Sequence, residues 1–362
     1  MAQNGTEMPS FKRFDVVSDD SDHYFAKRKK GKKNEVATAD AGEDDSLIDS
    51  AAGSKLHKKI MKEWRILEKN LPDLIYVRAY ENRIDLLRAV IIGAAGTPYH
   101  DGLFFFDLAF PSDYPARPPM VLYRSHGLRL NPNLYANGTV CLSLLNTWAG
   151  KQTERWNPAE STVLQVLVSI QALVLNERPY FNEPGTGLFG HARWEKNSRS
   201  YNRDVYLLCL KTTLYSIRNP PKNFEDFVAA HYRHRAKAIL AACREYANGR
   251  VRVGYYRDGE NDDASSSSSA AAEEEEIYVS KKFVGSMKTM YPQLVTGFVK
   301  IGASGVGGSS GHQLKLVKKT TSFDKEKGKN GFVEKLFTTI KRVFGLEKKK
   351  SGKISNNNIV SV

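Results

Sequence analysis

LIYVRAYENRIDLLRAVIIGAAGTPYHDGLFFFDLAFPSDYPARPPMVLYRS, residues 74–125, decides the fold. It holds four strand-like runs, at 74–79, 85–94, 103–110 and 120–125. Turn chemistry separates them: Glu81-Asn82, then Thr97-Pro98 with Asp101-Gly102, then prolines from Pro111 to Pro119. Links this short favour an antiparallel meander, because a parallel return needs a long crossover. Phe104, Phe105 and Phe106 read as strand residues, two of them on the core face.

Outward on both sides the period changes. Before the strands, Leu56, Ile60, Trp64, Leu67 and Leu71 form one apolar stripe, so a helix is predicted over 54–70. Pro72 ends it. Its other faces carry Lys55, Lys58, Lys59 and Lys62, followed by Arg65 and Lys69. After the strands, a loop-rich stretch leads to the apolar helix 161–175, and further helices are predicted near 198–217 and 224–246. Helix, strand group, then helices make an α+β domain.

The chain has 362 residues, 41% hydrophobic and 26% charged, with a net charge of +14. Such a charge suggests an anionic partner, but its location matters. Residues 1–50 carry −3, 51–276 carry +4 and 277–362 carry +13. The excess therefore belongs to the C-terminal stretch. Four segments are expected: a disordered N-terminal tail over 1–53, a folded domain over 54–248, a low-complexity linker over 249–276, and a basic tail over 277–362. Within the first, FKRFDVVSDDSDHYF (11–25) reads as linker or docking peptide.

Cys141, Cys209 and Cys243 are too few for a disulfide framework and lack metal-ligand pairing, so no metal is expected and a reducing intracellular compartment is. No signal peptide, membrane span or lipidation motif is read.

The loop stretch contains NPNLYANGTVCLSLL (131–145). Taken alone, a cysteine between valine and leucine reads as an inert buried thiol. Its neighbours change that reading. TPYHDGLFFF (97–106), FPSDYPARPP (110–119), NPNLYANGTVCLSLL and WNPAESTVLQVLVSIQALV (156–174) occur in order with compatible spacings. Together they resemble the ubiquitin-conjugating enzymes over roughly residues 54–245. YVRAYENRIDLLRAVIIG, GLRLNPNLY and PYFNEPG resemble the subset with a longer loop after the cysteine. That subset holds the giant hybrid conjugating enzyme/ligases and the plant phosphate-homeostasis enzymes; FKRFDVVSDDSDHYF is also similar to the plant branch.

The resemblance implies a four-stranded antiparallel meander flanked by helices. It implies that Cys141 takes ubiquitin from the activating enzyme as a thioester and passes it to a substrate lysine, with nucleophilic catalysis dividing one ligation into two transfers. Asn133, eight positions earlier, either donates to the developing oxyanion, worth about 3–4 kcal/mol where such donors have been measured, or holds the loop. The family's histidine is Asn131 here, followed by Pro132. Glu183 is the candidate acid for orienting the lysine. The ligase-contact loops map to Ala116 and Arg117 and to Trp156, Pro158 and Ala159. Ala116 stands where an aromatic is common, which points to weak ligase dependence. The basic residues Lys55, Lys58, Lys59 and Lys62 would dock the activating enzyme. Fifteen positions separate Cys141 from Trp156, so 146–155 is expected to form a flap beside the thiol.

No cofactor is expected, since ATP is used by the activating enzyme. The partners implied are ubiquitin, the activating enzyme, ligases and protein substrates, in cytoplasm or nucleus. Residues 331–346 place Phe332, Leu336, Phe337, Ile340 and Phe344 on one helical face beside lysines. An anionic membrane surface, a protein groove, a nuclear address and packing on the domain all stay open for that helix. Nucleic acid is not expected, because no recognition motif accompanies the charge. Two other classes compete: a non-catalytic ubiquitin-binding scaffold on the same fold, against which the retained cysteine speaks, and a cysteine hydrolase, for which no local signature exists.

Overall fold

The computed structural model describes residues 11–26, 45–148, 151–183, 186, 191–257, 277–306, 314 and 316. Its centre is a five-stranded sheet in sequence order. The strands are β1 (Phe14–Val17), β2 (Ile75–Tyr80), β3 (Arg83–Ile92), β4 (Leu103–Ala109) and β5 (Met120–Tyr123). The four from β2 onward form the antiparallel meander expected from the turns. β1 is an addition, paired parallel to β2 with Phe14 opposite Val77. The helices are α1 (Asp45–Asn70), α2 (Val163–Ser169), α3 (His191–Arg218), α4 (Glu225–Asn248) and α5 (Lys281–Lys300).

Strand alternation sends side chains to two covered faces. Val77, Leu87, Ala89, Ile91, Phe104, Phe106 and Leu108 share a core with Ile60, Trp64 and Leu67 of α1 and Val163, Val166 and Leu167 of α2. Val90, Leu103 and Phe105 join a second core built on α3, α4 and α5. Phe104 and Phe106 thus share one core face as expected, and Phe105 is buried too, because helices cover the second face as well. The predicted helix 161–175 is divided. Thr162 and Gln165 form a reciprocal cap on α2, and Ile170–Val174 continues as a π-helical turn.

Two expectations about the ends are corrected. The first is the disordered tail over 1–53. Residues 11–26 lie against the sheet, although they are polar. Arg88 is fully buried and bonds Asp107 at 2.6 Å and Asp22 at 2.5 Å. Burial works to lower the Arg88 pKa, but the hydrogen bond and charge of Asp107 raise it above its ordinary value. Asp22 also meets Arg124 at 3.2 Å and accepts the Lys222 backbone N–H. His23 contacts the Leu87 carbonyl at 3.0 Å, and Phe25 packs on Tyr80, Leu86 and Ala109. Ion pairs and a few rings thus order a segment whose composition reads as linker.

The second correction concerns the tail over 277–362. Ser280 caps α5 by accepting the Phe283 N–H. Phe283, Met287, Met290, Tyr291, Leu294, Val295 and Phe298 are then buried against α3 and α4. The sheet's compact unit runs to Leu316. Residues 251–257, assigned to a linker, also belong to it: the Gly254 carbonyl accepts the Gly96 N–H, and the Tyr246 hydroxyl accepts N–H groups of Gly254 and Tyr256. The low-complexity run 262–276 and the helix expected over 331–346 lie outside the described residues.

Candidate active site

Asn137-Gly138 makes the turn that presents Cys141. Gly138 has φ +89°, and a Cβ there would meet the Tyr123 carbonyl at 2.7 Å, so only glycine fits. The turn closes through Gly138 N–H to Tyr135 carbonyl and Tyr135 N–H to Thr139 carbonyl. The chain returns so that the Cys141 N–H donates to the Asn133 carbonyl at 2.9 Å. The Asn133 side-chain amide donates back to the Cys141 carbonyl, also at 2.9 Å. Of the two roles open for Asn133, the one displayed is holding the cysteine's backbone.

Asn131 is fully buried and joins three elements. Its amide donates to the Tyr99 hydroxyl and the Val174 carbonyl, each at 2.7 Å, while its side-chain oxygen accepts the Asn133 N–H at 2.8 Å. The cysteine loop is thereby tied to the π-helical turn. Asn182 reinforces the junction on the same Val174 carbonyl. Pro132 is buried beside it, and its carbonyl accepts from Arg129.

On the other side of the thiol, Thr147 acts as a staple. Its hydroxyl donates to the Val140 carbonyl at 2.7 Å and accepts the Leu142 N–H at 2.9 Å. Both residues flanking Cys141 are thus fixed by one side chain from the start of the inserted segment. Gln152–Glu154 forms a short 3-10 turn farther along it.

Cys141 itself retains 8% of its surface. Burial pushes its thiol pKa up; the Tyr135 hydroxyl, as a donor, and the Arg129 guanidinium pull it down, and Glu183 pushes it up again. Burial prevails, so the resting thiol is less acidic than a free cysteine. Arg129 lies 4.6 Å from the Tyr135 ring centroid and 3.7 Å from the Glu183 carboxylate. A carboxylate, a guanidinium and a phenol therefore act on the titration of one sulfur. The other cysteines differ: Cys209 and Cys243 are sealed in the core, the latter's thiol pushed up to about 12 by burial. All three are free thiols.

Glu183, the candidate acid for orienting the lysine, pairs with Arg129 in this cluster. Arg129, Tyr135, Thr147, Tyr99 and Asn182 were missed. Tyr135 lay inside the quoted motif, and Arg129 stands between the inward residues Leu128 and Leu130, an alternation that marks it as outward-facing. Nothing in sequence alone brings Thr147 or Asn182 to the thiol.

The other candidates form separate surfaces. Ala116, Arg117, Pro158 and Ala159 are exposed on two adjoining loops. Trp156 is buried between them and donates from its indole N–H to the Pro115 carbonyl at 2.7 Å. Tyr114 packs on Trp156 and donates to buried Glu63 of α1, which also accepts the Val163 N–H. Burial raises the Glu63 pKa. The loops, α1 and the start of α2 are thus one braced unit. Lys55, Lys58, Lys59 and Lys62 are exposed along α1. Among the described residues no cluster of three or more metal-ligating side chains occurs, and no helix is long and apolar enough to cross a membrane.

Comparison with known proteins places this geometry. The ubiquitin-conjugating enzyme family matches residues 59–208. The chain is 48% identical over 294 residues to a putative ubiquitin-conjugating enzyme E2 38 of Arabidopsis thaliana, covering 81% of this chain and 82% of that one. It is 53% identical over 253 residues to a probable ubiquitin-conjugating enzyme E2 25 of the same plant, covering 70% of this chain and 39% of the relative. A human dual E2 ubiquitin-conjugating enzyme/E3 ubiquitin-protein ligase, BIRC6, is 38% identical over 245 residues, covering 65% of this chain and 5% of that protein. Several of these relatives are thus much longer than the stretch they share with this chain.

Proposed function

Because the chain belongs to the ubiquitin-conjugating enzyme family, we propose that Cys141 is its ubiquitin acceptor and that it transfers ubiquitin onward to lysine. One observation carries the assignment. Of the three thiols, Cys141 alone lies on a loop rather than inside a helix, with its backbone N–H and carbonyl both bonded to Asn133.

The chemistry has two steps. Once deprotonated, the Cys141 sulfur attacks the carbonyl of ubiquitin's thioester on the activating enzyme. The new thioester forms as the activating enzyme's thiolate leaves. The two thioesters are similar in energy, so the exchange needs positioning more than driving force. In the second step a lysine amine attacks the carbonyl on Cys141, the nitrogen loses a proton, and the Cys141 thiolate departs as the isopeptide bond forms. Burial raises the Cys141 thiol pKa while Tyr135 and Arg129 pull it down, so these two groups favour the thiolate that attacks. Glu183, balanced by Arg129, stands where it can orient the amine or take its proton. Asn133 holds the carbonyl of Cys141 and keeps the thioester's backbone fixed.

Ligase engagement would use the braced loops bearing Ala116 and Arg117 and Pro158 and Ala159, and the lysines of α1 would meet the activating enzyme. Ala116 offers a ligase no aromatic side chain, which favours transfer with little ligase dependence. The basic residues beyond Leu316 would direct location, by an anionic membrane surface or a protein groove. Incubation with activating enzyme, ubiquitin and ATP should give a reductant-sensitive adduct on a non-reducing gel. Absence of the adduct, or its survival in Cys141→Ala, overturns the assignment.

A further inference from the structure

A groove of about 490 Å³ opens between α3, the 251–255 loop and residues 277–279. Its wall carries Arg178, Lys196, Arg199, Arg203 and Arg252 against only Glu177 and Glu195. Both carboxylates are engaged. Glu195 pairs with Arg178 and Arg199, and Glu177 accepts the Tyr255 hydroxyl. Arg203 donates to the Tyr278 carbonyl at 3.1 Å, and burial lowers its pKa from the ordinary arginine value. The groove therefore has an excess of cationic groups on a surface of the domain with an otherwise modest charge.

Its position gives the excess a use. Arg178 is prearranged on the Phe181 ring, 4.9 Å from the centroid. Glu183, beside the thiol, is five residues farther along the same loop, so their Cα atoms are at most about 18 Å apart. Asn182 fixes that loop to the cysteine's own junction. An extended peptide covers a separation of up to about 18 Å with about five residues, so one whose lysine sits at Cys141 needs about that many to extend toward the groove.

We propose that this groove docks a carboxylate-rich segment of the protein substrate and so selects lysines that have an Asp/Glu run about four to eight residues away. The proposal deepens the transfer reading and rests on it. Guanidinium forks match carboxylates in pairs, and several together in a partly enclosed groove discriminate by charge.

The test uses the full chain and a fluorescein-labelled peptide with one lysine and four Asp/Glu residues beginning five positions away. Anisotropy on the Cys141→Ser chain should show binding at least about tenfold tighter than for the Asn/Gln version of the peptide. It should weaken severalfold between 50 and 200 mM salt, since screening lengths shrink over that range. Arg178→Glu with Lys196→Glu should remove about tenfold of that preference; Arg178→Gln with Lys196→Gln, which only neutralise, should remove part of it. In discharge assays the ratio of acidic-peptide to free-lysine transfer should fall in step.

Equal binding of acidic and neutral peptides overturns the proposal. So does binding confined to a phosphoserine version, or binding that appears only after Glu273–Glu276 are replaced by serine, which would make the chain's own acidic run the occupant. Failure of the thioester itself is a separate result: it would sink the transfer reading while the anisotropy still reports on the groove.

Discussion

The Cys141 loop and the two terminal additions are held by different forces. The loop is anchored in the core by Leu134, Val140, Leu142 and Leu145, and its path around the sulfur is set by short polar bonds among Asn131, Asn133, Thr147 and Asn182. The additions are held by quantity: seven buried apolar side chains in α5, and a knot of buried charge under residues 11–26. Single polar contacts determine where one sulfur sits, whereas burial determines whether the domain stands at all. Substitution of the loop's part-exposed polar groups, such as Asn133, should alter rate with little loss of stability, and substitutions in the additions should do the reverse.

The largest expected effect separates two truncations. Removing residues from 277 onward strips α5, whose side chains contribute about 1.5–3 kcal/mol each. Together that rivals the whole stability of about 5–15 kcal/mol of an ordinary domain. Such a chain should lose its cooperative thermal transition and with it thioester formation. Ending the chain at Leu316 should preserve both. Equal behaviour of the two chains would erase the distinction between α5 and the residues beyond it.

Next comes Arg88→Ala, which leaves Asp107 buried without its main partner. Breaking a buried pair in this way costs about 3–5 kcal/mol. The thermal midpoint should fall by several degrees, while the thioester rate per folded molecule stays the same. A rate loss beyond the folded fraction would tie the N-terminal segment to the chemistry.

Asn133→Ala should invert that pattern. Losing one bond to the Cys141 carbonyl costs about 1–3 kcal/mol of positioning, or roughly fivefold to a hundredfold in lysine discharge, with a small change in midpoint. A large drop in midpoint with normal discharge would make Asn133 a support of the fold only.

The smallest effects are on the thiol's titration. Arg129 lowers the Cys141 pKa and Glu183 raises it. Arg129→Ala should therefore move the iodoacetamide alkylation profile of Cys141 to higher pH, because less thiolate exists at any given pH. Glu183→Gln should move it to lower pH. Each shift should be a fraction of a pH unit to about one unit. Shifts of the same sign in both variants would remove the electrostatic account of the site.

The parts of the molecule that repeat a period were legible in the sequence. Alternation and turn residues located β2 to β5, and the stripe from Leu56 to Leu71 located α1. Cys141 and Asn133 were legible through the motif around them. What sequence concealed depends on partners far along the chain. Residues 11–26 look like linker because their composition is polar, and only Arg88 and Asp107 on the sheet turn that polarity into structure. α5 contains a readable stripe from Phe283 to Phe298, but Gly285, Pro292 and Gly297 mask it, and the surrounding positive charge invites a tail reading. Arg129 reaches the thiol through folding, twelve positions from it in sequence.

The charge knot at Arg88 also has a consequence for the order of assembly. Asp22 is synthesised early, yet it meets Arg88 66 residues later and the Lys222 backbone 200 residues later. A nascent chain therefore carries β1 unpaired until β2 has emerged, and Asp22 without its partners until β3 and then the residues just before α4 have followed. Contacts at such separation form late, after loop closure has been paid for by nearer ones. The abundant aspartates of that waiting segment keep it hydrated meanwhile, so β1 is expected to join its edge of the sheet late although it is made first.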